Sequence, residues 1–341
     1  MYNKEKIPYT RVVRHININW KLLKKLLSYR TYTKDKEAEI IFSEYLVKYI
    51  NSLGDIDIEE DSIGNLYITK GKSDLYTCVV AHMDISQPII DSVSIIQTSK
   101  LITGLDNSTG LQCGIGADDK LGVYFGLHCL KTMDNVKCLF TVSEESGGIG
   151  AYAADLTFME DVNFLIQLDR NSWNNDISSE TNGEVVVSEE FILASQSVLD
   201  RYNYDYTCCM FTDIGIIGPA ADLCAVNISA GYFDEHSSIE RISIPHFINA
   251  IAFAEDLIKT MEGKRWSNIQ EYVSSESEYY HYSSGWNFNK EDDSYVQECI
   301  GVGECPLCVS NDLNYLKNGT IVCNHCESYY NVPESKHIGI W

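Results

Sequence analysis

Apolar positions fall into two rhythms along the first 265 residues of this chain. Short continuous runs at 77–81, 136–142 and 164–168 read as strands buried on both faces, and polar or charged residues follow each at once. Longer stretches repeat at helical spacing. Residues 38–50 place Ala38, Ile41, Phe42, Tyr45, Leu46 and Ile50 on one face, and 188–202 do the same with Phe191, Ile192, Ala194, Val198 and Leu199. A turn signal, Ser62-Ile63-Gly64-Asn65, introduces a strand at 66–69, and two more strands are predicted at 207–211 and 223–228. Pro245 opens a last helix that ends near Gly263. Another helix is predicted over 120–133, and an amphipathic one, packed on the body, near the start. Strands alternating with helices predict an α/β domain.

The texture changes at 266. Residues 271–298 hold seven acids, one lysine and many Ser and Tyr with little periodicity, which predicts a solvated tether rather than a packed unit. A cysteine-dense tail follows. The organisation read from this is a body at 1–265, an acidic linker at 266–298 and a small domain at 299–341. In the tail, Cys305 and Cys308 are separated by fourteen residues from Cys323 and Cys326. Two such pairs supply four thiolates to one tetrahedral zinc, and a tail this short needs that staple because its own core is small. Four acids against two lysines in 299–341 point this zinc ribbon toward protein contact or oligomerisation and away from nucleic acid.

Composition narrows the function classes. A net charge of −23 argues against a nucleic-acid partner, while 45% hydrophobic and 11% aromatic residues exclude wholesale disorder. The charge is uneven, at +6 over residues 1–25 and −29 over the rest. No apolar run of membrane-spanning length and no secretory leader are apparent, so a soluble, cytoplasmic protein without a membrane partner is expected. Of twelve cysteines, the eight outside the ribbon show no pattern and are expected to be reduced thiols.

Chemistry gathers at the ends of the strands. The run at 77–81 ends in His82-Met83-Asp84, that at 136–142 in Ser143-Glu144-Glu145, and that at 164–168 in Asp169. The strand at 223–228 runs toward His236, and Asp118-Asp119-Lys120 opens a helix between the first two. Carboxyl ends of strands are where open α/β sheets build their sites. Singly, each piece reads as a polar turn, a solvated face or a helix start. Together they offer imidazole and carboxylate ligands suited to a pair of borderline cations.

The series AHMD, GADDKLG, SEESGG, QLD and GYFDEHSSIE resembles the co-catalytic zinc exopeptidase superfamily, which includes peptidase T, bacterial leucyl aminopeptidases and carboxypeptidase G-type enzymes. The resemblance runs over residues ~20–262 and includes the segment GNLYITKG. It implies a mixed β-sheet with helices on both faces, in an α-β-α sandwich. It implies that His82 and Asp169 bind one zinc, Glu145 and His236 a second, and that Asp118 bridges both across a cis Asp118–Asp119 peptide bond. Asp84 would orient the His82 imidazole. Glu144 would be the general base toward water activated on zinc, with cobalt or manganese able to replace the metal. An aminopeptidase on short peptides is the expected activity. Tyr232 is a candidate for stabilising an oxyanion, Arg170 for contacting a substrate carboxylate or forming an ion pair, and Asp213 for binding a substrate amine.

Only 66 residues separate Asp169 from His236, too few to add the lid domain that peptidase T and carboxypeptidase G-type enzymes carry there. Alternatives on the same fold are an N-acyl amino acid deacylase or, with a single zinc, a glutaminyl cyclase-like enzyme. A non-catalytic zinc-binding assembly protein is the alternative from another class.

Overall fold

The computed structural model describes residues 16–33, 35–86, 90–209 and 211–268, and three short strands beyond them. In chain order the elements begin with α1 (Trp20–Leu27), α2 (Lys36–Asn51), β1 (Ile56–Glu60), β2 (Leu66–Lys70), β3 (Tyr76–His82), β4 (Val93–Gln97), β5 (Leu101–Asp106) and β6 (Gln112–Cys113). Next come α3 (Ala117–Thr132), β7 (Val136–Thr141), α4 (Ile149–Tyr152), β8 (Val162–Arg170), β9 (Asp176–Thr181), β10 (Glu184–Val185) and α5 (Glu189–Tyr202). The body closes with β11 (Asp205–Cys209), α6 (Asp213–Ala220), β12 (Ala225–Ser229), β13 (Tyr232–Phe233), β14 (Arg241–Ser243) and α7 (Ile244–Met261).

The main sheet has nine strands in the order β1-β2-β7-β3-β8-β12-β9-β10, with β11 paired to β9. Its centre, β7-β3-β8-β12, is parallel, so four carboxyl ends meet at one edge. Helices cover both faces because side chains alternate along each strand. On β3, Val79 and Ala81 join one core with α1, α2, α3, α5 and α7, while Cys78 and Val80 join a second with α4 and α6. On β8, Phe164, Ile166 and Leu168 face the first core, and Leu165 faces the second. This is the mixed sheet with helices on both faces that the sequence implied.

The predicted body elements are present, most of them shifted by a residue or two at their ends. Helix α1 turns Leu22, Leu23, Leu26 and Leu27 inward, fully or nearly so, and sets Lys24 and Lys25 in its last turn, which is the amphipathic pattern expected. A smaller five-stranded sheet, β13-β14-β5-β4 with β6 on β5, had not been anticipated. Its strands are two to six residues long, too short for a long apolar run to mark them. The residues between Asp169 and His236 go into β9 to β13, α5 and α6, and the strands β9 to β12 complete the main sheet, so this stretch carries no lid.

The body runs on past 265. Trp266 is 8% exposed, donates its indole N–H to the Met261 carbonyl at 2.8 Å, and meets Phe191 edge-on. Among the described residues the seven body cysteines are all unpaired thiols, and no helix is long and apolar enough to cross a membrane. Further on, β15 (Leu313–Tyr315), β16 (Thr320–Cys323) and β17 (Tyr329–Asn331) form an antiparallel sheet of three strands in a separate unit. Cys323 ends β16, whereas Cys305, Cys308 and Cys326 lie outside the described residues.

Candidate metal centre

The parallel strands deliver their polar ends to one edge. His82 is the last residue of β3, Asp169 lies next to the end of β8, Glu144 and Glu145 form the turn after β7, and His236 sits in the loop between β13 and β14. Asp118 lies at a kink near the start of α3, where the Asp118–Asp119 peptide bond is cis. These residues make two groups that share one member: His82, Asp118 and Asp169, and Asp118, Glu145 and His236. His82 Nε2 lies 3.0 Å from Asp118 Oδ1 and 3.6 Å from Asp169 Oδ1. His236 Nε2 lies 3.0 Å from Asp118 Oδ2 and 2.8 Å from Glu145 Oε1. Asp118 therefore turns one oxygen toward each group.

Asp84 holds the opposite side of the site. His82 Nδ1 lies 3.0 Å from the Asp84 backbone carbonyl and 3.5 Å from its carboxylate, so the main chain is the nearer partner. That carboxylate accepts the backbone N–H of Glu144 at 3.0 Å and of Glu145 at 3.3 Å. Its larger task is thus to fix the Glu144–Glu145 turn, which starts from Ser143 at a φ of 55°. Glu144 is 8% exposed.

The electrostatics show a cluster with too much negative charge in a dry place. Burial pushes Glu144 up to about 8, with Asp213, Asp118 and Glu145 acting the same way and His82 opposing. Burial, then Asp118 and Asp119, hold Asp169 well above the usual carboxylate range. Burial alone would raise Asp118 and depress His82. Their mutual hydrogen bond, with His236 beside Asp118 and with Asp169 and Asp84 beside His82, outweighs it and reverses both directions. The close carboxylates of Asp118 and Glu145 raise His236 to about 11. Cationic imidazoles here balance carboxylates, a job that a metal cation does better at short range.

The predicted substrate contacts divide. The Tyr232 hydroxyl donates to Asp169 Oδ1 at 3.4 Å from a ring that is 2% exposed, so it orients that carboxylate. Arg170 takes the ion-pair alternative, with Asp176 at 3.3 Å and the Cys208 carbonyl at 3.1 Å. Asp213 is fully buried at the start of α6. Its Oδ2 accepts from Thr141 at 2.7 Å, and Oδ1 has no hydrogen-bond partner. A cleft of about 580 Å³ runs past Phe211 and Thr212 along α4 and α6, and none of His82, Asp84, Asp118, Glu144, Glu145, Asp169 and His236 lines it.

Three supporting residues escaped the sequence reading. Asn227 grips Asp169 from both sides, accepting its N–H at 2.9 Å and donating to its carbonyl at 2.6 Å. Gln167 donates to Asp169 Oδ2 at 3.2 Å. Glu240, fully buried, accepts backbone N–H groups from the loop before Asp118. Its only signal was its place at the end of the GYFDEHSSIE segment.

The donors fit a pair of divalent cations. Each group mixes imidazole nitrogen with carboxylate oxygen, the set that zinc, cobalt and manganese accept. Glu145 Oε1 is buried and close to His236, yet makes no hydrogen bond of acceptable geometry. A buried carboxylate oxygen without a hydrogen-bond partner, aimed into such a cluster, suits a cation.

No family model matches the chain, and no curated protein matches it by sequence. Solved structures do. Aminopeptidase PepT from Bacillus cereus superposes with a TM-score of 0.59 at 14% identity, over 71% of this chain and 98% of that one. A tripeptidase from Staphylococcus aureus gives 0.56 at 14% identity, over 71% and 97%. The chain has the fold of these peptidases. A TET aminopeptidase from a marine sediment archaeon (Thaumarchaeota) shares the peptidase fold as well, with 0.54 at 14% identity over 71% and 98%. The fold expected from AHMD, GADDKLG, SEESGG, QLD and GYFDEHSSIE is therefore the fold found.

Proposed function

We propose that this chain is a two-metal hydrolase of peptide bonds near a chain terminus, an aminopeptidase acting on short peptides. The observation that carries the reading is the pair of ligand groups sharing Asp118, with buried Glu144 beside them. Two divalent ions bound there would polarise a scissile carbonyl and make a water far more acidic than in bulk. His82 and Asp169 would hold one ion, Glu145 and His236 the other, and the two oxygens of Asp118 would face both. Glu144 is the group left to move protons. Burial raises its carboxyl to about 8 in the metal-free protein, and cations beside it would favour the carboxylate, which can accept a proton from water and return it to a leaving amine. Asp84 keeps Glu144 in place through the backbone of the turn.

The activity test is a panel of dipeptides and aminoacyl-anilides with zinc, cobalt or manganese, run on the wild type and on Glu144→Gln. The expected result is hydrolysis by the wild type and a loss of about 10²–10⁴-fold in the variant at unchanged metal content. Equal activity in the two proteins would overturn the assignment of the base. Hydrolysis confined to N-acyl amino acids would move the substrate class to the deacylase alternative.

A further inference from the structure

Glu240 lies outside both ligand groups, yet its carboxylate takes four consecutive backbone N–H groups. Oε2 accepts from Ile115 at 2.6 Å and Gly116 at 2.7 Å, and Oε1 from Ala117 at 2.9 Å and Asp118 at 3.3 Å. The side chain is 0% exposed. A buried carboxylate is costly unless hydrogen-bonded, and charge-assisted bonds of this kind are the strong ones. Consecutive amides converge on one anion because the backbone bends at Gly116, where φ is 66°. A side chain at that position would bring its Cβ to 2.7 Å from Ile85, so glycine suits the bend on both counts.

Glu240 also stands four residues after His236 and directly before β14, which is paired to β5 and β13. Its carboxylate therefore ties the loop carrying His236 to the loop carrying Asp118. The two ligand groups depend on this tie unequally. His82 and Asp169 ride on the adjacent strands β3 and β8, and the His82 N–H reaches Asp119 Oδ2 at 3.3 Å, keeping Asp118 close to β3. His236 has no such strand. It sits in a loop with φ at 57° and a side chain 46% exposed.

We propose that Glu240 is a positioning residue that registers Asp118 against His236, and so sets the affinity for the second ion, held by Asp118, Glu145 and His236. This rests on the two-metal reading above. In Glu240→Gln the shape is kept, but an amide NH₂ replaces one oxygen and faces N–H donors, leaving part of the loop without an acceptor.

The test is a cobalt titration of the metal-stripped full-length chain, read by visible absorption. Cobalt bound to thiolates is separated by its charge-transfer band from cobalt on nitrogen and oxygen ligands. The expected result is two N/O-bound ions in the wild type. In Glu240→Gln the first should bind as in the wild type and the second about 10–100-fold more weakly. Equal affinities in the two proteins, or an equal weakening of both ions as a merely structural residue would cause, overturns the inference. A wild type taking fewer than two such ions removes the two-metal reading and this inference with it. Should the variant not fold, hydrogen exchange on metal-free wild type decides. Amides 115–118 should already be protected, and fast exchange until an ion binds would count against the cradle.

Discussion

At the scale of the residue, Asp213 ties stability to pH. Burial raises its carboxyl to about 6 from an ordinary 3.8, against the pull of His82 and the Thr141 hydroxyl. A raised acid contributes stability that is complete below about 4 and is lost as pH climbs through about 6. Ionised in the fold, Asp213 then costs up to about 3 kcal/mol. Asp213→Asn should therefore gain on the wild type, both metal-free, as the pH rises from 4.5 to 7. Thermal melts across that window give the comparison, and a constant difference would mean Asp213 does not titrate there. Lys120 makes a similar point about residue types. It looks like a surface lysine in the sequence, yet it is fully buried, donating to the Tyr29 carbonyl at 2.9 Å and to Thr31 at 3.0 Å. Burial drives its ammonium well below the ordinary range.

At the scale of the element, α1 carries the structure toward the site without touching it. Leu23, Leu26 and Leu27 are fully buried, and the segment after α1 offers the oxygens that receive Lys120. Leu26→Ala should lower the unfolding free energy by about 2–5 kcal/mol, as buried leucine truncations do. Denaturant unfolding would show this, while metal analysis of the folded variant should be unchanged. Elements were legible in the sequence where burial was two-sided: β3, β7, β8 and β12 announce themselves as mainly apolar runs, broken only at single positions such as Lys137, Gln167 and Asn227. Strands β4 and β5 did not, because in their small sheet β4 only alternates half-buried and exposed positions and β5 buries only Ile102 and Gly104. The residues that the structure gathers into the two groups stood out in the sequence because they follow strands, open a helix or, for His236, lie beyond the last strand of the run. Glu240 was not, because its partners lie more than 120 positions back along the chain and no local pattern encodes that distance.

At the scale of the whole molecule, the charge of −23 is partly concentrated where it can be used. Asp84, Asp118, Glu144, Glu145 and Asp169 crowd one edge of the sheet, and a cation there relieves their repulsion. Metal-loaded protein should therefore melt higher than stripped protein, by about 2.7 kcal/mol for a site held at a hundredfold excess over its dissociation constant. No shift in melting temperature on adding zinc would contradict a cation site at this edge. The tail should add one more ion. Three metals per chain are expected, falling to two in Cys305→Ser, by elemental analysis of the purified protein.

The order of the strands has a last consequence, for the moment at which this centre comes into being. Its ligands are spread from His82 to His236, and the strands carrying them are interleaved, with β3 seated between β7 and β8. During synthesis, then, the whole stretch from His82 to Glu240 must emerge before His236 and Glu240 can close the second group. No early fragment can gather the complete set, and closing contacts this distant is slow. The complete set is therefore on offer to an ion only once the sheet has formed.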